Sequence, residues 1–384
     1  MSDEFSLLCA LAGTNLSSAR RQRIADWNYS ALEWNIFFRL ADQHGVLPLA
    51  AHNLVEIDSA KPTRSLPREI DNSLRSAYQA NLQRSLWFAS EMTRIVQFFQ
   101  SRQLHAIPFK GPLLAQSVYG DIALRQFSDL DFLISSAEFD SAKRALDEIG
   151  YRPSTPLTPE VERFWLRRGN ERAFDGSAGQ NLVELQWAVL PYFYAIDLRV
   201  EDLLARAKST YVSESETACL SSEDSLLVLC LHAAKHLWTR LIWLSDIAET
   251  LRIETIDYSL LFDRARTLGT TRILGVSFWL AQNVLEIELP QAAENLIHSD
   301  PSTLVIGSSF AERLARGAAY DFESADYFRW VLKLRERRRD RWRYLWRLLW
   351  TPGAGDLDAV RLPELFFPLY RVVRTGRLLR KLAR

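Results

Sequence analysis

Helical spacing of apolar residues runs through most of this chain and is interrupted in one stretch, and that interruption constrains the fold more than any other feature. Upstream, apolar side chains recur through Leu32, Trp34, Ile36, Phe37 and Leu40, and again through Tyr78, Leu82, Leu86, Trp87, Ile95, Phe98 and Phe99. The polar, proline-bearing stretch 59–67 divides them as a loop, and the second helix ends near Arg102. From Glu223 onward the spacing is helical again, through 224–238, 243–252 and 258–350. Between these regions, 125–134 alternates at period two and then runs apolar, which reads as a strand. Residues 181–187 read as another. A short apolar run precedes Gly111-Pro112, and Pro112 suits the first turn of the helix that 113–120 would form. Ser136 is placed to cap a helix through Ile149, which Gly150 stops, and 152–180 reads as a polar connection. The pattern predicts an α+β protein with a mixed sheet embedded in a mostly helical chain. Its expected divisions are a helical region over 1–103, an α/β core over 104–215 and a helical region over 216–384.

Composition narrows the function classes. Lys plus Arg and Asp plus Glu both number 47, so the formal charge is zero. A protein that coats nucleic acid through bulk charge would be basic, and the sequence gives no strong nucleic-acid signal. The 3 cysteines have no close spacing, which excludes a disulfide framework and a zinc knuckle. The first residues are acidic where a signal peptide needs basic ones, and no apolar run reaches the roughly 18 residues of a spanning helix. A cytoplasmic protein is expected.

Asp129 and Asp131 lie two apart on the first strand, so both side chains take one face and Leu130 and Phe132 take the other. Two adjacent carboxylates repel, and a divalent cation between them turns the repulsion into ligation. Glu184 repeats the pattern on the second strand, between Val183 and Leu185. Placed beside the first strand, it would complete a three-carboxylate site for two metals about 4 Å apart. Taken alone, Asp-x-Asp and Glu184 also suit the solvated face of an edge strand. Upstream, Lys110-Gly111-Pro112 stands at a strand-to-helix turn. Its glycine, its free helix N–H groups and its cation suit a phosphate chain, though an ordinary turn would look similar. His232 and His236 share a helix face, but no third ligand lies near in sequence, so a zinc site is rejected.

In order and spacing, Lys110-Gly111, Tyr119-Gly120, Arg125 and Ser128-Asp-Leu-Asp-Phe-Leu-Ile134 resemble the uncharacterised nucleotidyltransferase family of the polymerase-beta-like nucleotidyltransferase superfamily. Val183-Glu-Leu-Gln-Trp187 looks like that family's third-carboxylate strand, where a His often stands at the position of Gln186. Leu231-His-Ala-Ala-Lys-His236 with Arg240-Leu-Ile-Trp-Leu-Ser-Asp246 looks like its helical motif, and Tyr370-Arg371 also fits. The resemblance implies a nucleotidyltransferase core in which Asp129 and Asp131 bind two Mg²⁺ and Glu184 positions or deprotonates the acceptor. It implies a nucleoside triphosphate donor, with ATP expected, and an enzyme of the 2.7.7 class whose acceptor is unknown. Lys110, Gly111, Arg125, Lys235 and Arg240 would contact the nucleotide, with Asp246 holding Arg240. The superfamily's Gly-Ser phosphate turn has no serine here. The rival reading is a non-catalytic nucleotide-binding partner of a biosynthetic or toxin–antitoxin system, and retention of all three carboxylates argues against it.

The tail is distinctive. From Arg329 onward, 16 Lys or Arg face 5 acids, and arginines interleave with Trp342, Tyr344, Trp346 and Trp350. Such a helix suits an anionic membrane surface or nucleic acid, or a surface helix whose arginine stems cover apolar neighbours; the neutral chain favours the surface helix, with weak membrane-surface contact as the alternative. Residues 362–370 read as a packed return segment.

Overall fold

The computed structural model describes residues 2–176, 182–212, 215–317, 321, 324–351, 356, 360 and 364–382. Helices α1 (Asp3–Leu11), α2 (Ser18–Ala25), α3 (Trp34–Gln43), α4 (Leu47–Ser59) and the long α5 (Arg68–Ser101) come first. Strand β1 (Ala106–Phe109) leads into α6 (Gly111–Leu114), and β2 (Asp129–Ile134) into α7 (Phe139–Glu148). Strand β3 (Tyr151–Pro153), α8 (Pro159–Arg168), β4 (Glu171–Gly176) and β5 (Leu182–Gln186) follow, then α9 (Val200–Ala205) and the hairpin of β6 (Lys208–Val212) and β7 (Ser215–Cys219). Helices α10 (Ser222–Lys235), α11 (Leu241–Ile253), α12 (Tyr258–Leu268), α13 (Thr271–Leu285), α14 (Gln291–Ser299) and α15 (Pro301–Ala315) come next. Then follow α16 (Ala325–Leu334), α17 (Arg338–Trp350) and α18 (Tyr370–Leu382).

The first five strands form a sheet in the order β1-β2-β5-β4-β3. Only β2 and β5 run parallel; the other neighbours are antiparallel, so the sheet is mixed and the fold α+β. Side-chain alternation gives the sheet two different faces. Leu130, Phe132 and Ile134 of β2, with Val183 and Leu185 of β5, pack against Phe88, Met92, Ile95 and Phe99 of α5 and Phe139 and Leu146 of α7. Phe132 and Phe99 meet edge to face at 5.8 Å, and each is almost fully buried. The other face of β2 turns away from this core: Leu133 joins the large apolar cluster that α1, α4, α10, α11 and α13 also build. The helices at the two ends of the chain therefore share one core, and the acidic face of the sheet looks into it.

Several local expectations need correcting. β2 begins at Asp129, not Arg125. The Asn81 amide of α5 donates to the carbonyls of Ala123 and Arg125 and holds 121–128 as a loop. Helix α7 begins at Phe139; Ser136 does not cap it, and the Ser135 hydroxyl instead accepts from the Ala137 N–H at 3.3 Å. The stretch 152–180 is not a plain loop: it carries β3, α8 and β4. Helix α8 has the Thr158 cap and a Pro159 in its first turn, and Val161, Phe164 and Trp165 give it a short helical spacing, but its side chains are at most half-buried. Asn181, where the second strand was expected to begin, and residues 362 and 363 of the return segment lie outside the described residues. No described helix is long and apolar enough to cross a membrane.

One buried ion pair fastens the loop before β2 to α11. Arg125 Nε and Nη2 donate to Asp246 Oδ1 and Oδ2 at 2.7 and 2.8 Å, and the Tyr119 hydroxyl donates to Asp246 Oδ1 at 2.8 Å. Asp246 is 1% exposed and Arg125 5%. Removing one partner leaves the other charge buried and uncompensated. Asp246→Asn is therefore expected to cost about 3–5 kcal/mol in urea unfolding. Replacing Arg125, Asp246 and Tyr119 together by Met, Leu and Phe is expected to cost less than that single change. A single variant as stable as the parent would contradict this role.

Candidate active site

The parallel pairing of β2 and β5 sets Asp131 level with Glu184, and Leu130 level with Val183. Asp129 lies two residues before Asp131 on the same face. The three carboxylates thus form one acidic edge, and α10 and α11 stand across from it. Between them is a pocket of about 280 Å³. All eight residues singled out from the sequence line it: Asp129, Asp131, Glu184, Lys110, Gly111, Arg125, Lys235 and Arg240.

The acidic edge is under electrostatic load. Burial, then the charge of Asp131, pushes the Asp129 carboxyl up to about 6, against the opposing pull of Lys110 and Arg125. The same two causes in the same order push Glu184 up to about 8. Two donors offset this load at Asp131. The Gln186 amide donates to Asp131 Oδ1 at 2.7 Å and to Glu184 Oε2 at 3.1 Å. The Lys110 ammonium lies 3.6 Å from Asp131 Oδ2. Gln186, whose part was not legible in the sequence, therefore bridges the carboxylates of the two strands.

Lys110 is the most constrained residue of the pocket. Its ammonium also donates to His232 Nδ1 at 3.1 Å and lies 4.6 Å from the centre of the Phe109 ring. Burial, then the Lys110 charge, holds His232 well below its ordinary value. The ring is neutral and its Nδ1 accepts. Helix α10 thus contributes a hydrogen-bond acceptor to the Lys110 ammonium. The backbone of Lys110 has φ 60° and ψ −149°, a region otherwise kept for glycine, and Gly111 follows at φ 49°. Helix α6 is only four residues long before a π-turn over Ala115–Tyr119, so the Lys110 ammonium, not a long helix terminus, is the positive group at this turn.

The remaining cations differ from expectation. Asp246 does not hold Arg240; it holds Arg125. The strand expectation placed Arg125 on β2, whereas the loop turns its guanidinium toward α11, where Nε and Nη2 are given to Asp246. Arg240 caps the start of α11, and its Nε donates to the Gln43 carbonyl at 2.8 Å. Lys235 ends α10, with its ammonium 3.7 Å from Glu171 Oε2. Sequence reasoning missed Glu171, which lines the pocket from β4, and gave Tyr119 no role beyond its place in the motif, whereas its buried hydroxyl donates to Asp246.

The donor set suits a hard divalent cation, since all three acids offer oxygen and two hold raised affinities for positive charge. Among the described residues, no group of three His, Cys, Asp or Glu side chains is drawn together as a metal centre. Lys110 and Gln186 stand beside Asp131 in the place where that positive charge would sit.

The family model described as an uncharacterised nucleotidyltransferase matches residues 30–286. That range is more than half of the chain and includes every residue of the pocket, and the chain belongs to this family. Its general role is nucleotidyl transfer. No curated protein matches the sequence.

Two outcomes follow from the pocket. Lys110→Gly and Lys110→Ala remove the same ammonium, but only alanine keeps the backbone strain. The glycine variant is expected to be more stable by about 1–3 kcal/mol in chemical unfolding, the reverse of the usual order. Equal stability would mean that Lys110 is unstrained. The second outcome concerns pH. Glu184 titrates near 4.5 in the unfolded chain and at about 8 in the folded one, so between these values only the folded state holds the proton. Its contribution to stability is complete below the lower value and is lost as pH rises through the upper one. Without divalent metal, the melting temperature of the parent should fall more steeply from about pH 5 to about pH 8 than that of Glu184→Gln. Parallel curves would show that Glu184 does not carry this load.

Proposed function

We propose that the chain moves a nucleoside monophosphate from a nucleoside triphosphate to an acceptor hydroxyl or phosphate, with release of pyrophosphate and dependence on a divalent metal. The observation that supports this most is the level pairing of Asp131 with Glu184 across parallel strands, with Asp129 on the same face and Lys110 beside them. In the proposed reaction an acceptor oxygen attacks the α-phosphorus. The new O–P bond forms as the bond to the bridging oxygen of the β-phosphate breaks, and pyrophosphate carries away that electron pair.

Asp129 and Asp131 would hold Mg²⁺, with Glu184 at its edge. When bound, the metal supplies charge neutralisation for the triphosphate and acidifies the acceptor hydroxyl. The chain's own groups do the rest. Lys110, released from Asp131, turns to the phosphates as a compact point charge. Lys235 and Arg240 line the side of the pocket opposite the sheet and attract the remaining phosphate charge. Glu184 stands nearest the acceptor and takes its proton. Gln186 keeps Glu184 aligned with Asp131, so that proton acceptance and phosphate binding occur at one fixed spacing. ATP is the donor we would test first, in the class of 2.7.7 enzymes.

The test is pyrophosphate release from ATP and Mg²⁺ in the presence of cell extract as the acceptor source. Asp129→Asn and Asp131→Asn should each lower the rate on the order of a thousandfold or more, because each removes a ligand whose charge the transition state requires. The melting temperature of metal-free Asp129→Asn should hold or rise, since a repulsion is relieved. Release at the parental rate by both variants would overturn the assignment.

A further inference from the structure

Helix α17 packs with one side and leaves the other uncovered. Tyr344, Leu348 and Asp340 are buried against the helical core, whereas Trp342 is 73% exposed and Trp346 63%. Leu349 and Trp350 are also exposed. These four positions follow one another at i, i+4, i+7 and i+8, a single stripe along the helix. Their rings and chains form one surface: Trp346 and Trp350 lie 5.1 Å apart, and the Arg371 guanidinium of α18 lies 5.4 Å over the Trp350 ring. Val372 and Leu369 extend the surface and are exposed as well. A contiguous apolar face of this kind marks a site of contact.

Among the described residues, the charge carried by α17 is mostly positive. Helix α17 carries five arginines and one acid, and that acid, Asp340, is turned inward. Arg343 and Arg347 are engaged by Asp197. Arg338, Arg339 and Arg371 flank the stripe and point outward. Within a chain of zero net charge, this is a local concentration of cations beside tryptophan. Indole rings with adjacent arginines match the headgroup level of a bilayer, where the ring is half apolar and the guanidinium meets phosphate. The stripe runs along the exposed side of one helix.

We infer that the Trp342–Trp346–Trp350 stripe of α17, with its flanking arginines, is a docking surface for an anionic lipid bilayer. The helix lies in the interface plane, and its membership of the folded core keeps the rest of the protein at the membrane. The inference stands apart from the nucleotidyl reading and does not depend on it.

The test uses the full chain and vesicles of phosphatidylcholine, alone or mixed with phosphatidylglycerol, in a flotation assay. The protein should float with the mixed vesicles and less with the neutral ones, and salt should weaken the binding. Joint Trp342→Ser, Trp346→Ser and Trp350→Ser should lower the bound fraction roughly tenfold on mixed vesicles. Arg338→Gln, Arg339→Gln and Arg371→Gln together should remove the preference for anionic lipid while leaving residual binding. Should the triple tryptophan variant misfold by circular dichroism, Trp342→Ser alone, at the most exposed of the rings, should still reduce binding. Parental protein that floats with neither vesicle overturns the inference, as does flotation unaffected by the tryptophan changes. Light scattering that shows a dimer dissolved by those changes would assign the stripe to a second copy of the chain, and tryptophan-dependent retention of single-stranded RNA would assign it to nucleic acid. Either result also overturns the inference.

Discussion

The pocket depends on the buried contact between Arg125 and Asp246. The sheet supplies the acids, but the sheet alone would present them to water. The guanidinium reaches from the loop before β2 to the middle of α11 and is met there by both carboxylate oxygens, with the Tyr119 hydroxyl as a third donor. A charge pair this deep is expensive to desolvate and stabilises little against an apolar substitute of the same shape. Its contribution is register. It fixes how far α11 stands from β2, and therefore where Arg240, Trp243 and the end of α10 face Asp129 and Asp131.

Within that frame, the acidic edge combines two opposed demands. Side-chain alternation drives Leu130 and Phe132 into the α5 and α7 core, and the same alternation commits Asp129 and Asp131 to the opposite face. Burial, then the charge of Asp131, raises the affinity of Asp129 and Glu184 for a positive charge. Lys110 and Gln186 relieve the load at Asp131 without filling it. Lys110 is held there in a backbone conformation that its side chain disfavours, with a neutral His232 behind it. Local rules of chain geometry are broken where charge has to be placed, which is the usual position of strain in a folded protein.

Much of this arrangement was legible in the sequence, and the failures have physical causes. The long α5 announces itself by apolar period, because it buries one face, whereas β2, α10 and α11 are buried nearly all round and announce themselves by their apolar content. The eight residues singled out from strand alternation and motif order all line one pocket, although they come from six separate places in the chain. Helix α8 and strand β4 are short and lie among many charged residues, so the stretch reads as a polar connection, and with it went Glu171. The partner of Asp246 was misassigned to Arg240 because sequence distance favours the nearer arginine, whereas Arg125 is carried across by a loop that Asn81 shapes from α5. Gln186 stood out only as a departure from the family's His and carried no role, since an amide among carboxylates has meaning only once the strands are paired. The choice between a membrane and a surface role for the tail also required exposure, which composition does not carry.

The central claim is that the acidic edge catalyses attack at the α-phosphorus of a nucleoside triphosphate. The most direct measurement supplies the chain with Mg²⁺, cell extract and ATP labelled at either the α- or the γ-phosphate, and follows label into acceptor. The account predicts covalent transfer of the α-label alone, with unlabelled pyrophosphate from the α-labelled donor and labelled pyrophosphate from the γ-labelled one. Transfer of the γ-label to acceptor, or retention of both labels in intact ATP bound to the protein, would contradict it.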